Sequence, residues 1–328
     1  MGQGNAQNAR IVVTRRLPDA LMALIGARFD VWCNSADRTL SADELLRAVH
    51  AHRPDVLLVM AMDRIDAALI GALPESVRLI ATYSVGNEHI DLAAARARGI
   101  AVLSTPDVLS DAVADMAMLL LLAAARRAGE GAALIREGRW TGWSPTQLIG
   151  RDITGGRLGI LGMGRIGRAV ASRARAGFGM RVSYHNRTRL PADIEDGAVF
   201  CAGLDEFLAA SDFLVLTAPA TPETTGILNP RTIAALPDGA VVVNVSRGGL
   251  VDDAALIAAL RSGRLGAAGL DVFNNEPAID PGYLTLPNVF LQPHQGSSTI
   301  ETRLRMGRVL LESIDRVLAG DSVANRLA

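Results

Sequence analysis

The sequence predicts an α/β protein of two domains, each a parallel sheet flanked by helices, and three observations lead there. Short apolar runs alternate with Ala-, Arg- and Leu-rich stretches of helical spacing, the order that builds parallel sheets with right-handed crossovers. The runs form two series, one before and one after a G-x-G-x-x-G near mid-chain. At 328 residues and 49% apolar content, the chain is long enough for two separate cores.

The first series opens with a strand at Ile11-Val12-Val13-Thr14. Helical patterns follow around Pro18 to Phe29 and from Asp43 to His50, and Val56-Leu57-Leu58-Val59 reads as a buried strand. Leu79–Tyr83 and Ile100–Leu103 continue the alternation. The run Met116 to Ala125 is too short to span a bilayer and reads as a buried helix. The second series comprises Leu158–Leu161, Arg181–Tyr184, Phe213–Thr217, Val241–Val245, Ala267–Leu270 and Val289–Leu291. The last helical pattern, Ile300 to Ala319, has no strand of its own to pack beside and is expected to cross back to the first series. The expected division is therefore a discontinuous substrate domain, residues 1–103 with 295–328, and a dinucleotide domain, 104–294. A cleft between such domains commonly holds a small molecule.

Gly162-Met163-Gly164-Arg165-Ile166-Gly167 follows the apolar run Arg157–Leu161 and opens a helix-like segment through Ala176. Between strand and helix, the first glycine of this pattern makes a tight turn, the second admits a pyrophosphate to the backbone, and the third permits close helix–strand packing. The helix N-terminus then faces phosphate with its N–H groups and dipole. Gly162, Gly164, Arg165, Ile166 and Gly167 are the candidate contacts. About 20 residues on, where an acid would grip a ribose 2′-OH, the chain reads His185-Asn186-Arg187-Thr188-Arg189. No carboxylate occurs between Arg181 and Asp193. Guanidiniums suit a 2′-phosphate, which an Asp would repel, so the expected cofactor is NADP(H), held through Asn186, Arg187, Thr188 and Arg189. Arg187 and Arg189 also fit an ordinary arginine-rich surface.

Composition narrows the function classes. A formal net charge of −1 without a basic block argues against a nucleic-acid surface. Met1 to Arg10 is polar and lacks the apolar core of a secretion signal, so the cytoplasm is the expected compartment. Cys33 and Cys201 have no metal-ligand spacing, and no metal is expected. All 33 Lys+Arg residues are Arg, which excludes Schiff-base chemistry, a P-loop lysine and a lysine base.

Three ionisable residues stand just past late strands: Arg247 in Asn244–Gly249, Glu276 in Asn274–Pro277 and His294 in Gln292–Gly296. Ligands bind at the carboxyl ends of strands in open α/β sheets. An Arg can hold a 2-keto acid's carboxylate and polarise its keto oxygen. A His can deliver the proton, and a paired carboxylate favours its charged form. Each residue taken singly also fits a plain structural place, as a helix-start arginine, a turn glutamate before proline and a loop histidine.

With these residues in view, the chain resembles the D-isomer-specific 2-hydroxyacid dehydrogenase family, and most of all its NADPH-dependent glyoxylate/hydroxypyruvate reductases. The likeness runs from Ser84-Val85-Gly86-Asn87-Glu88-His89-Ile90-Asp91 to Met306. It takes in Gly150–Gly159 leading into Gly162–Gly167, the Asn244–Asp252 segment, Gly269–Phe273, Glu276-Pro277 and Pro293-His294. The resemblance implies a flavodoxin-like substrate domain and a Rossmann cofactor domain. It implies an Arg247/Glu276/His294 constellation, backbone N–H groups of Val85 and Gly86 on the substrate carboxylate, Asp271 near the nicotinamide amide, and Ala218-Pro219 lining the cofactor. It further implies a homodimer with the Met116–Ala125 helix in its interface, where the residues alone equally permit a buried core helix. Leu58–Met62 fits apolar substrate contact or plain core.

The expected activity is NADPH-dependent reduction of glyoxylate or hydroxypyruvate to the D-2-hydroxy acid. A larger 2-keto acid on the same chemistry is the alternative. A formate or phosphite dehydrogenase fits less well, since Ser84 stands where phosphite dehydrogenases resemble one another in having a Lys. A dinucleotide-sensing interaction protein is the reading from another class.

Overall fold

The computed structural model describes residues 9–328; most of the polar stretch Met1 to Arg10, residues 1–8, lies outside the described residues. The chain forms two compact units, one running to Leu109 and resuming at Ser298–Ala328, the other Ser110–Ser297. The junctions lie past the Leu103 and His294 boundaries because local hydrogen bonds hold the intervening residues. Ser104 and Thr105 donate their N–H groups to Asn325 and Ser84 of the first unit, whereas Gln295 and Gly296 donate theirs to Asp271 of the second.

In the first unit β1 (Arg10–Val13), α1 (Asp19–Gly26), β2 (Asp30–Cys33), α2 (Ala42–His52), β3 (Val56–Val59), α3 (Ala67–Ala72), β4 (Leu79–Thr82), α4 (Leu92–Ala97) and β5 (Ala101–Leu103) follow one another. The five strands are parallel in the order β2-β1-β3-β4-β5. β3, Val-Leu-Leu-Val, is buried along its whole length, as expected for a strand covered by helices on both faces. Leu58 and Val59 are therefore core, while Met60 is half-buried and Met62 exposed. β2 escapes the sequence reading because this edge strand is short and no residue in it is fully buried, so no apolar run announces it. α2 starts where Ser41 and Glu44 exchange side-chain and backbone hydrogen bonds in a capping box.

The second unit contains α5 (Ser110–Ala125), α6 (Ala128–Arg136), β6 (Arg157–Leu161), α7 (Arg165–Phe178), β7 (Arg181–His185), α8 (Ala192–Glu195), β8 (Val199–Phe200), α9 (Leu204–Ala209), β9 (Phe213–Leu216), α10 (Pro230–Ala235), β10 (Ala240–Asn244), α11 (Asp253–Arg261), β11 (Leu265–Leu270) and β12 (Val289–Leu291), with 3₁₀ turns at Gly248–Leu250 and Pro281–Thr285. Its seven strands run β12-β11-β10-β9-β6-β7-β8. The order reverses between β6 and β9, the switch point at which ligands enter such sheets. Two-residue β8, again an edge, also escapes the sequence reading. α5 is mostly buried within this unit and presses so closely on β11 that a Cβ on Gly269 would come within 2.8 Å of the Leu120 backbone oxygen.

The last helix, α12 (Ile300–Leu318), belongs to the first unit. Thr299 caps it, and Met306, Leu310, Leu311 and Ile314 form a buried stripe at helical spacing. Gly307 packs closely on Leu21 of α1: a Cβ there would lie 2.3 Å from a Leu21 methyl, so the leucine side chain would have to shift. Among the described residues no helix is long and apolar enough to cross a membrane, and no group of three or more His, Cys, Asp or Glu could hold a metal ion.

Candidate active site

The glycine motif turns β6 into α7 at the switch point of the second sheet. Gly162 has φ +100°, and a Cβ on it would lie 2.4 Å from the Ala218 nitrogen. A Cβ on Gly167 would lie 2.5 Å from the Gly162 oxygen. These two glycines serve packing. Gly164 differs: it is exposed, and nothing lies within 4 Å of where its Cβ would stand. It is also the N-cap of α7, where no side chain caps the helix. Exposed Arg165 and half-buried Ile166 begin that helix beside it. An open glycine at an uncapped helix start fits the pyrophosphate of a dinucleotide.

Sequence reading does not assign the groups that shape this turn. Thr217 donates its hydroxyl to the Gly162 oxygen at 2.7 Å, and Ser246 donates to the Ala218 oxygen. Ala218 is buried and Pro219 exposed.

Beyond β7 the ribose-side residues have separate tasks. Asn186 accepts the Met163 N–H at 2.7 Å, fastening this turn to the glycine loop. Arg187 and Arg189, expected side by side at a phosphate, are distinct. Arg189 lays Nε and Nη2 on the two oxygens of buried Glu195, at 2.9 and 3.0 Å. Tyr184 donates its hydroxyl to Glu195 at 2.6 Å and accepts the Leu190 N–H. The Arg189 fork and the Tyr184 hydroxyl hold the Glu195 carboxyl at about 2. Arg189, expected to meet the phosphate, thus lays two of its nitrogens on a carboxylate six residues downstream, beyond the stretch between Arg181 and Asp193, while its side chain stays 64% exposed. Arg187 and Thr188 are exposed, and the Glu223 carboxyl is lowered first by the Thr221 side chain and last by the Arg187 charge.

The chemistry-bearing side chains gather past β10, β11 and β12. Asn244, fully buried, donates to the Arg247 oxygen at 2.9 Å and accepts the Ser246 N–H, so it moulds the turn that presents Arg247. Asp271 ends β11 with both carboxylate oxygens on backbone amides, Gln295 at 2.6 Å and Gly296 at 2.7 Å. Burial raises this carboxyl against the pull of those two amides. Its position, expected to serve a nicotinamide amide, here anchors the loop that carries His294. That histidine stands in the left-handed region at φ +53°, its own N–H on the Asp271 oxygen.

His294 Nδ1 lies 2.7 Å from Glu276 Oε2, while Glu276 Oε1 accepts the Phe273 N–H at 2.7 Å. The glutamate side chain is 17% exposed and the imidazole 42%, so the carboxylate backs a ring that faces outward. Burial pushes the Glu276 carboxyl up, but His294, the Phe273 N–H and the Arg247 charge outweigh it and leave it below the ordinary range. Arg247, Glu276 and His294 therefore form one electrostatic group.

Val85 and Gly86 belong to the first unit, just past β4. There Ser84 donates to the Gly86 oxygen at 2.6 Å, and Thr82 links Ser84 to His89. Val85 is exposed and Gly86 half-buried.

Residues 118–296 match the model of the D-isomer specific 2-hydroxyacid dehydrogenase family, NAD binding domain. The chain is 42% identical over 321 residues to a glycerate dehydrogenase of Hyphomicrobium methylovorum, covering 97% of this chain and 99% of that one. A glyoxylate reductase of Thermococcus onnurineus is 40% identical over 93% of this chain and 91% of its own. Among solved structures, one from Polaromonas sp. JS6 66 superposes with a TM-score of 0.94 at 50% identity, covering 98% and 99% of the two chains. The NADPH-dependent glyoxylate/hydroxypyruvate reductase of Sinorhizobium meliloti, solved with NADP and malonate, gives 0.83 at 32% identity, covering 98% and 97%. A glycine turn open to a pyrophosphate, an Arg/Glu/His group past the last strands and likeness along almost the full length agree: the chain belongs to the D-isomer specific 2-hydroxyacid dehydrogenase family, and is an enzyme with a nicotinamide dinucleotide-binding domain.

Proposed function

We propose that the protein reduces small 2-keto acids, glyoxylate and hydroxypyruvate foremost, to D-2-hydroxy acids with NADPH. The observation that carries the reading is the His294–Glu276 pair, with Nδ1 2.7 Å from the carboxylate and Nε2 directed the other way. When bound, the reduced dinucleotide supplies hydride. His294 delivers the proton from Nε2 to the keto oxygen, and Glu276 steadies the charged ring before transfer. Arg247 holds the substrate carboxylate and polarises the keto group.

Preference for NADPH rests on the exposed Arg187 in a turn without an acid, and is in keeping with the S. meliloti relative. We also infer a homodimer. No residue of α6 is buried, and Trp140 and Trp143 nearby are 54% and 83% exposed, apolar surface that a second copy would cover.

The test is direct. Purified protein is mixed with glyoxylate, hydroxypyruvate, pyruvate or phenylpyruvate and with NADPH or NADH, and the reduced-nicotinamide absorbance is followed. NADPH-preferring turnover of the first two substrates supports the reading. Preference for phenylpyruvate overturns the substrate, equal or better use of NADH overturns the cofactor, and sedimentation as a monomer overturns the dimer.

A further inference from the structure

The turn bearing Arg247 and the loop bearing Glu276 lie backbone to backbone. A Cβ on Gly248 would stand 1.9 Å from the Phe273 carbonyl carbon and 2.3 Å from the Asn274 nitrogen. Such a contact holds register only if something ties the two segments, since two irregular backbone stretches share no ladder of hydrogen bonds.

The tie is a side-chain junction around Asp253, the first residue of α11. Asn274 Nδ2 crosses from the Glu276 loop to donate to the Val251 oxygen at 3.0 Å and to Asp253 Oδ2 at 2.9 Å. Tyr283, fully buried in the Pro281–Thr285 turn, donates its hydroxyl to Asp253 Oδ1 at 2.7 Å. One carboxylate thus joins three segments: the end of the Arg247 turn, the Glu276 loop and the turn that precedes β12. Both its oxygens take a donor, so neither bond competes with the other. Nothing in the proposed chemistry requires Asp253 itself.

We propose that Asp253 is a positioning residue, acting through Asn274 and Tyr283 to hold the Arg247 turn and the Glu276 loop as one block, and so to set the distance between carboxylate clamp and proton donor. The proposal rests on the reading that Arg247, Glu276 and His294 carry the reduction. Misplacement of reacting groups by about 1 Å can cost up to about 100-fold in rate.

The experiment pairs Asp253→Ala with Asn274→Ala, which cuts the same link while leaving the carboxylate in place and keeps the test available should the first variant not fold. Keto-acid reduction per folded site and amide hydrogen exchange are both measured. In Asp253→Ala, kcat should fall about tenfold and the keto-acid KM should rise severalfold, with dinucleotide Kd within about twofold of the parent. Exchange should quicken at Gly248–Val251, at Phe273–Glu276 and in the Pro281–Thr285 turn whose Tyr283 loses its acceptor, and nowhere else. Asn274→Ala should move each quantity the same way, and less. A merely structural role would lower the folded fraction and leave KM and local exchange unchanged, and that result overturns the proposal. If the parent reduces no keto acid, the functional reading falls, and exchange at the two segments decides whether Asp253 joins them.

Discussion

The guanidinium of Arg189 lies flat against the carboxylate of Glu195, Nε 2.9 Å and Nη2 3.0 Å from its two oxygens. The neighbouring Arg187, two residues away, is exposed. Two arginines that look equivalent in sequence therefore stand in different surroundings, Arg189 being paired with a carboxylate although it too is exposed. Arg187→Gln should weaken NADPH about tenfold or more while leaving NADH within about twofold, the loss expected for a charge-assisted hydrogen bond. Arg189→Gln should change that ratio less and lower the melting temperature more, because it strands the Glu195 carboxylate. Fluorescence titration with both nucleotides measures the ratio; an equal loss of preference in the two variants would contradict the division of roles.

Glu195 and Glu44 also predict how stability responds to acid. Arg189 and Tyr184 hold Glu195 at about 2, below its ordinary 4.5, and Arg38 with the Ser41 N–H does the same for Glu44. A carboxyl whose folded value is depressed contributes stability above its unfolded value and loses it as pH falls toward the folded one. Stability should thus decline as pH drops from about 4.5 towards about 2. Urea unfolding across this window should show a shallower decline for Glu195→Gln than for the parent. An identical slope would show that the pair does not couple folding to pH.

His294→Asn should lower reductive kcat by about 10²–10⁴-fold, the usual contribution of a positioned acid. NADPH binding should survive, since the ring contacts Glu276 and not the glycine turn. Single-turnover kinetics with bound NADPH checks this, and near-parental turnover would remove His294 as the proton donor.

Arg247→Ala should raise the keto-acid KM and lower kcat together, because the proposed clamp acts on the ground state and on the developing charge at the keto oxygen. Steady-state kinetics with glyoxylate decides the matter. A change confined to dinucleotide affinity would leave Arg247 without a substrate role.

Two glycines of the turn, Gly164 and Gly167, should behave differently. At Gly167 an added methyl meets the Gly162 backbone oxygen at 2.5 Å, so Gly167→Ala should cost about 1–3 kcal/mol of stability as overpacking does. At Gly164 nothing lies within 4 Å, so Gly164→Ala should leave the melting temperature near that of the parent while weakening both dinucleotides. Thermal unfolding and nucleotide titration together test the pair, and unimpaired nucleotide binding by Gly164→Ala would remove that glycine from the pyrophosphate site.

Much of this molecule is legible in its residues because the signals involved are local. Val56–Val59 and Phe213–Leu216 announce themselves as strands since a parallel strand covered on both faces must be apolar throughout. The glycine spacing reports a tight turn because only glycine takes φ +100° there at no steric cost. The edge strands Asp30–Cys33 and Val199–Phe200 are silent for the converse reason: pairing on one side alone asks little of their side chains.

Residue order could name Arg247, Glu276 and His294 as chemistry at strand ends, but not their arrangement. Glu276 reaches His294 across 18 residues, Asp271 reaches Gln295 across 24, and Asp253 reaches Tyr283 across 30. Hydrogen-bond partners so far apart in the chain leave no periodicity behind them, and a side chain's free donors are known only once its neighbours in space are known. That is why Arg189 reads as a phosphate ligand in the sequence and stands in the fold as the partner of Glu195.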